Sequence, residues 1–307
     1  MQRFTNILVY QSSIAGASFA VRRAAKLAAK NSGRLTIVDV VQPSPAFLAN
    51  LVPSLGALDN RAEENSRDAL TSVAESVKAE FGLTPTVEVL HGRPIVELVS
   101  KVQSGNHDLL MKDAGAAIND LFFGSLDMRL LRYCPVPLWL TKPDGDENPR
   151  RVLVAVDPLA ASEGGEVNQA IIKMASLLAF RDHSELHVVG VWQKPFDLLQ
   201  SDDDYLEQYD SLSKAVESQA RSGLDHFLES STTAVKPNRI HFRSGIHSEE
   251  IVSVVETIRP DTLVIGSLAR AGISGVLIGN TAEKVFRRVE CSVLTVKPDG
   301  FCSPLLD

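Results

Sequence analysis

The residues of this 307-residue chain best suited to chemistry are glycines, histidines and a few carboxylates. Gly266 and Gly279 border a stretch that also holds Ala269, Arg270, Gly272 and Gly275, with Asn280 and Thr281 directly after it. Glycine lets backbone N–H groups approach an oxyanion closely, and a helix N-terminus beyond such a loop favours negative charge. GxxxxGK[ST], GxGxxG after a strand, GxSxG and HExxH are all missing from the sequence. No general base or Mg²⁺ cluster that would support fast turnover stands out. His183, His187, His241 and His247 flank two strands of the second half and would meet at a metal if those strands are neighbours. Their spacing matches no ligand pattern, so no metal site is assigned and the four are expected at the surface. Cys134, Cys291 and Cys302 form no CxxC and are expected as half-buried small hydrophobes of a chain in a reducing compartment.

The elements that must position these residues occur twice. Ile7–Tyr10 and Arg151–Asp157 are short apolar runs of the kind that form buried parallel strands. Helical patterns follow at Ala20–Lys30 and Asn168–Phe180, then strands at Leu35–Val41 and Leu186–Trp192. Long helices are predicted over about 59–80 and 205–229, strands over 86–90 and 239–243, and helices over 94–103 and 248–257. Gly92 and Gly245 lie 153 residues apart, as do Asp108 and Asp261; Gly124 and Gly279 lie 155 apart, as do Pro143 and Pro298. Such a period marks an internal duplication. Strands alternating with helices imply βαβ units and an α/β class: two tandem copies of a five-stranded parallel sheet flanked by helices. The boundaries are residues 1–143 and 151–299, with a charged, proline-containing linker between them and a short tail from Gly300.

The strand and helix order, the first strand of the second half ending in Asp157, and the glycine-bearing loop before the last helix resemble the universal stress protein family. The run Leu130 to Pro137 is similar to its tandem, E-type members. The resemblance implies a Rossmann-like domain in which Asp157 and the backbone at Val191 hold an adenine. In that reading a Gly-x-x-Gly, nine residues, Gly-Ser/Thr loop wraps the ribose and phosphates of ATP or AMP, with Mg²⁺. Gly266 and Gly279 match that loop. Ala269 replaces its second glycine and Asn280, followed by Thr281, replaces its serine. The expected nucleotide site is thus Asp157, Val191, Gly266, Ala269, Gly279, Asn280 and Thr281. In the first half Ser12 stands in place of the aspartate and Asp113 in place of the first glycine, where its carboxylate would repel phosphate. Gly124-Ser125 alone survives, so that half is expected to act as a structural partner. The resemblance further implies a stress-response binding protein acting through partners, hydrolysing ATP slowly at most. Its two halves would form an intramolecular pseudo-dimer, with a homodimer as a further assembly.

Net charge is −7 and the sequence pI about 5.6, which argues against nucleic acid and against a polybasic membrane anchor. MQRFTNILVY enters a strand directly and no apolar stretch reaches 18 residues, so neither a leader nor membrane insertion is expected and the cytoplasm is the default. Residues 45–58 are unusually apolar for a βα connection. They are read as packing against the other half, as a contact for a second chain, or as a lid over a lipid-like ligand. Those alternatives leave a scaffold with vestigial pockets, or a hydrophobic-ligand carrier, as rival functions.

Overall fold

A computed structural model describes residues 4–12, 16–44, 54–115, 123–143, 145–146, 148–160, 165–195, 203–229, 234–267, 279–298 and 300–305. The chain divides into two compact units, one of Met1–Glu147 with Gly300–Asp307 and one of Asn148–Asp299.

The first unit runs β1 (Asn6–Tyr10), α1 (Phe19–Asn31), β2 (Arg34–Val41), α2 (Ser54–Phe81), β3 (Thr86–His91), α3 (Pro94–Ser104), β4 (Leu109–Asp113), α4 (Ser125–Tyr133) and β5 (Leu138–Thr141). Its strands pair in parallel in the order β3-β2-β1-β4-β5. β1 and β4 are near-continuous runs of buried apolar side chains because helices cover both faces. The long helix begins at Ser54, five residues before the sequence pattern suggests. The apolar residues 54–58 therefore open a helix, on which Leu58 is exposed; residues 45–53, the rest of that apolar segment, lie outside the described residues.

The second unit repeats the plan with β6 (Arg151–Val156), α5 (Gly165–Asp182), β7 (Glu185–Trp192), α6 (Asp203–Glu229), a 3-10 turn (Pro237–Arg239), β8 (Ile240–Ser244), α7 (His247–Ile258), β9 (Thr262–Gly266), α8 (Asn280–Phe286) and β10 (Ser292–Val296). The order is β8-β7-β6-β9-β10, again parallel. The duplicated aspartates do the same work in both units. Asp108 Oδ2 accepts the Thr5 N–H at 2.7 Å, and Asp261 Oδ2 accepts the Arg150 N–H at 2.7 Å, so each clamps the entry of the first strand to the start of the fourth. The left-handed residues repeat as well: Ser32 and His183 each follow the first helix of their unit, and Asn106 and Arg259 the helix before the fourth strand. In both units strand order reverses between the first and fourth strands, which opens a crevice at their carboxyl ends.

Cys134 and Cys291 are buried, whereas Cys302 is exposed rather than half-buried; none of the three forms a disulfide. Among the described residues no helix is long and apolar enough to cross a membrane.

One glycine sets how α6 meets the crevice. A Cβ on Gly223 would lie 2.0 Å from the carbonyl oxygen of Pro158, in the turn after β6. Alanine would gain about 1 kcal/mol of helix propensity, but the backbone contact forces α6 away from that turn, at a cost of roughly 1–3 kcal/mol or more. Gly223→Ala should therefore lower the urea midpoint of the second unit; an unchanged or higher midpoint would show that the helix does not press on the turn.

Candidate functional site

The crevice of the second unit gathers most of the expected site. Asp157 follows β6 and is half-buried. Its Oδ1 accepts the Leu159 N–H at 3.0 Å, a local turn that fixes the carboxylate at the mouth of the strand. Asn168 of α5 holds the same residue from behind: its Nδ2 donates to the Asp157 carbonyl at 2.7 Å and its Oδ1 accepts the Asp157 N–H at 3.2 Å. This buried asparagine was not among the expected site residues. Its sequence signal is one amide within the apolar face of a helix. Val191 is buried and pairs with Arg243 of β8, one position beyond the last pairing of β7 with β6, Val156 with Gly190. Its backbone thus lies at the carboxyl end of the sheet.

Gly266 closes β9, and a Cβ there would meet Val167 of α5 at 3.3 Å. The next residue, Ser267, donates its N–H to Val296 O at 3.2 Å and accepts the Gly279 N–H on its carbonyl, also at 3.2 Å. The two ends of the loop are thereby joined. The Ser267 hydroxyl is fully buried and has no hydrogen-bond partner among the described residues. Asn280 is exposed and Thr281 half-buried, at the start of α8. Ala269 and residues 268–278 generally lie outside the described residues. The structure thus brings Asp157, Gly266 and Gly279 to one end of one sheet, with Val191 on the neighbouring strand.

The first unit fills its crevice differently. The pairings Ile7 with Leu109 and Val152 with Thr262 make Asp113 the counterpart of Gly266. Asp113 does not aim its carboxylate at a phosphate position as expected. Its Oδ1 accepts the Ala20 N–H of α1 at 2.8 Å and the Thr141 hydroxyl at 2.7 Å. A helix N-terminus offers unsatisfied N–H groups, and the carboxylate caps one of them. The group at the loop is instead Asp127 of α4, which the sequence reading missed. Its Oδ2 accepts the Gly115 N–H at 2.7 Å and the Gly124 N–H at 2.9 Å, while Oδ1 is bound by the Lys112 ammonium. Lys112 and Asp127 are both buried. Removing one partner of such a pair leaves an uncompensated buried charge, at about 3–5 kcal/mol. Ser12 is exposed.

These two units match known proteins. The sequence model of the universal stress protein family covers residues 3–142 and again 148–297. Universal stress protein E of Photorhabdus laumondii is 28% identical over 314 residues, covering 99% of this chain and 98% of that one. The Escherichia coli protein of the same name is 31% identical over 227 residues, or 71% and 69% of the two chains. A solved Pseudomonas aeruginosa structure of the universal stress type superposes with a TM-score of 0.74 at 23% identity, covering 95% of this chain and 93% of that one, a likeness of fold. The chain belongs to the universal stress protein family and carries its domain twice in tandem.

Of the four histidines expected at the surface, His187 is buried and His241 half-buried. Neighbouring strands β7 and β8 bring them together, with His187 Nδ1 3.1 Å from His241 Nε2. One ring must donate and the other accept. Glu185 Oε2 lies 3.6 Å from His187 Nε2, and Arg239 and Arg151 both pair with Glu185, so the neighbourhood already carries two cations. Among the described residues no group of three or more histidine, cysteine, aspartate or glutamate side chains is placed to hold a metal. Burial pushes both imidazoles below the usual histidine range; Glu185 opposes this at His187, and His187 reinforces it at His241. The unfolded chain takes up these protons near pH 6.5 and the folded chain only below that. The stability from the neutral pair is therefore complete above about pH 6.5 and lost as pH falls through that value toward the folded pKa values. Urea unfolding at pH 7.5 and pH 5.5 should show a smaller loss for His187→Gln with His241→Gln than for the wild type; equal losses would exclude the pair as the cause.

Proposed function

We propose that the chain is a tandem universal stress protein whose second domain holds ATP or AMP, with Mg²⁺ as counter-ion, and which acts through partners as a binding protein rather than an enzyme. The observation that carries this reading is the contrast between the two crevices. In the first, a buried carboxylate accepts the loop amides and is itself bound by a lysine. In the second, Ile265 and Ala282 stand at the matching positions, both buried and uncharged. A phosphate there meets no carboxylate from those positions, the orphaned Ser267 hydroxyl is available to hydrogen-bond, and Asp157 sits at the strand end where an adenine amine would donate to it. A retained loop, one more hydroxyl and a fixed carboxylate fit an adenine nucleotide better than an apolar ligand.

The first domain then serves structure. Two tandem domains on one chain fit an intramolecular pair, and a homodimer of such chains is the further assembly. The cytoplasm is the proposed location. The filled crevice favours the scaffold reading for that half alone.

Thermal unfolding with and without millimolar Mg·ATP tests the nucleotide reading. At about 100 times Kd the ligand adds roughly 2.7 kcal/mol, a shift of several degrees for a domain of this size. The wild type should show that shift and Gly279→Asp should lose it. A wild type indifferent to Mg·ATP would reduce the second loop to a structural remnant.

A further inference from the structure

The carboxylate of Asp127 sits where a loop of this kind would receive an oxyanion. A carboxylate in the first turn of a helix often accepts the N–H at the helix entrance, as Asp127 does from Gly124. Ordinary capping explains that bond and no more. Here the same oxygen also accepts the N–H of Gly115, from the opposite end of the loop, at 2.7 Å. The second oxygen takes a lysine that is itself buried and that also donates to the Asp113 carbonyl. Two backbone amides from the two ends of a glycine-bordered loop and one ammonium converge on a single anion. That is the donor set of a phosphate or sulfate site, made of main-chain N–H groups and a cation.

We propose that Asp127 is a built-in ligand. The loop ends of the first domain form an oxyanion site for phosphate-bearing ligands, and the chain fills that site with its own carboxylate, which holds the domain closed to them. The competition favours the tethered group. It is held in place by the fold, so a free anion must displace it against a large effective concentration. A phosphate that approached without displacing it would bring like charge beside a buried carboxylate. With the carboxylate gone, Lys112 and the N–H groups of Gly115 and Gly124 are left with a common vacancy and no acceptor in it. The second domain, with Ile265 and Ala282 at these positions, carries neither the tethered anion nor its counter-ion. One chain therefore holds one internally liganded copy of the site and one copy without the tethered anion.

Inorganic phosphate is the probe, added to the full chain at constant ionic strength. Gly279→Asp is present throughout to silence the second loop. The parent chain should unfold at a temperature independent of phosphate. Asp127→Ala should be less stable without phosphate and should recover by several degrees, saturably, as phosphate reaches tens of millimolar. If Asp127→Ala is unfolded at the start, recovery of its far-ultraviolet circular dichroism with phosphate reads the same binding. Adding Lys112→Ile, which removes the ammonium from the site, should weaken the phosphate response at least several-fold while leaving the chain folded. The proposal is overturned if Asp127→Ala, folded or unfolded, is indifferent to phosphate. It is overturned equally if the parent responds as strongly, or if Lys112→Ile leaves the response undiminished. No nucleotide enters this experiment, so it fails or succeeds independently of the ATP reading for the second domain.

Discussion

A parallel sheet covered by helices on both faces can offer polar groups to a ligand only at the ends of its strands. Where the strand order reverses, adjacent loops leave the sheet in opposite directions and a crevice remains between them. Both units of this protein are built around that constraint. The first and fourth strands lie side by side, Asp108 and Asp261 pin their amino ends together, and everything of functional interest gathers at the other end. Backbone N–H groups exposed in such a crevice need acceptors. How each unit supplies them separates one domain from the other.

The first domain supplies them from its own chain. Asp113 caps α1, Asp127 closes the loop and Lys112 neutralises it. The loop-end amides of Gly115 and Gly124 thus have an acceptor within the chain. The second domain relies on Asn168 to hold Asp157 and on Ser267 to join the loop ends, and the buried Ser267 hydroxyl has no partner among the described residues. Duplication permits such divergence, because each copy can change its crevice without the other.

The fold was largely legible in the sequence because it rests on patterns that survive divergence. Apolar runs mark strands buried on both faces, and the recurring spacings of Gly92 with Gly245 and of Asp108 with Asp261 record the duplication. Three features were not legible. Asp113 read as a barrier to phosphate because its position along the strand was clear but the direction of its side chain was not. Asp127 was missed altogether, since only the folded chain brings it to Gly115 and Lys112. His187 and His241, 54 residues apart, become partners through strand pairing that no local spacing encodes. Strands and helices are written locally; contacts across the sheet are written only in the sum of the packing.

The two halves of the chain differ at their loop ends, where Asp127 and Lys112 fill the first and Ile265 and Ala282 stand at the matching positions of the second. Counting ligands tests this most directly. Equilibrium dialysis of the wild-type chain against Mg·ATP should saturate at one nucleotide per chain. Two per chain would contradict the closed first domain, and none would contradict the open second one.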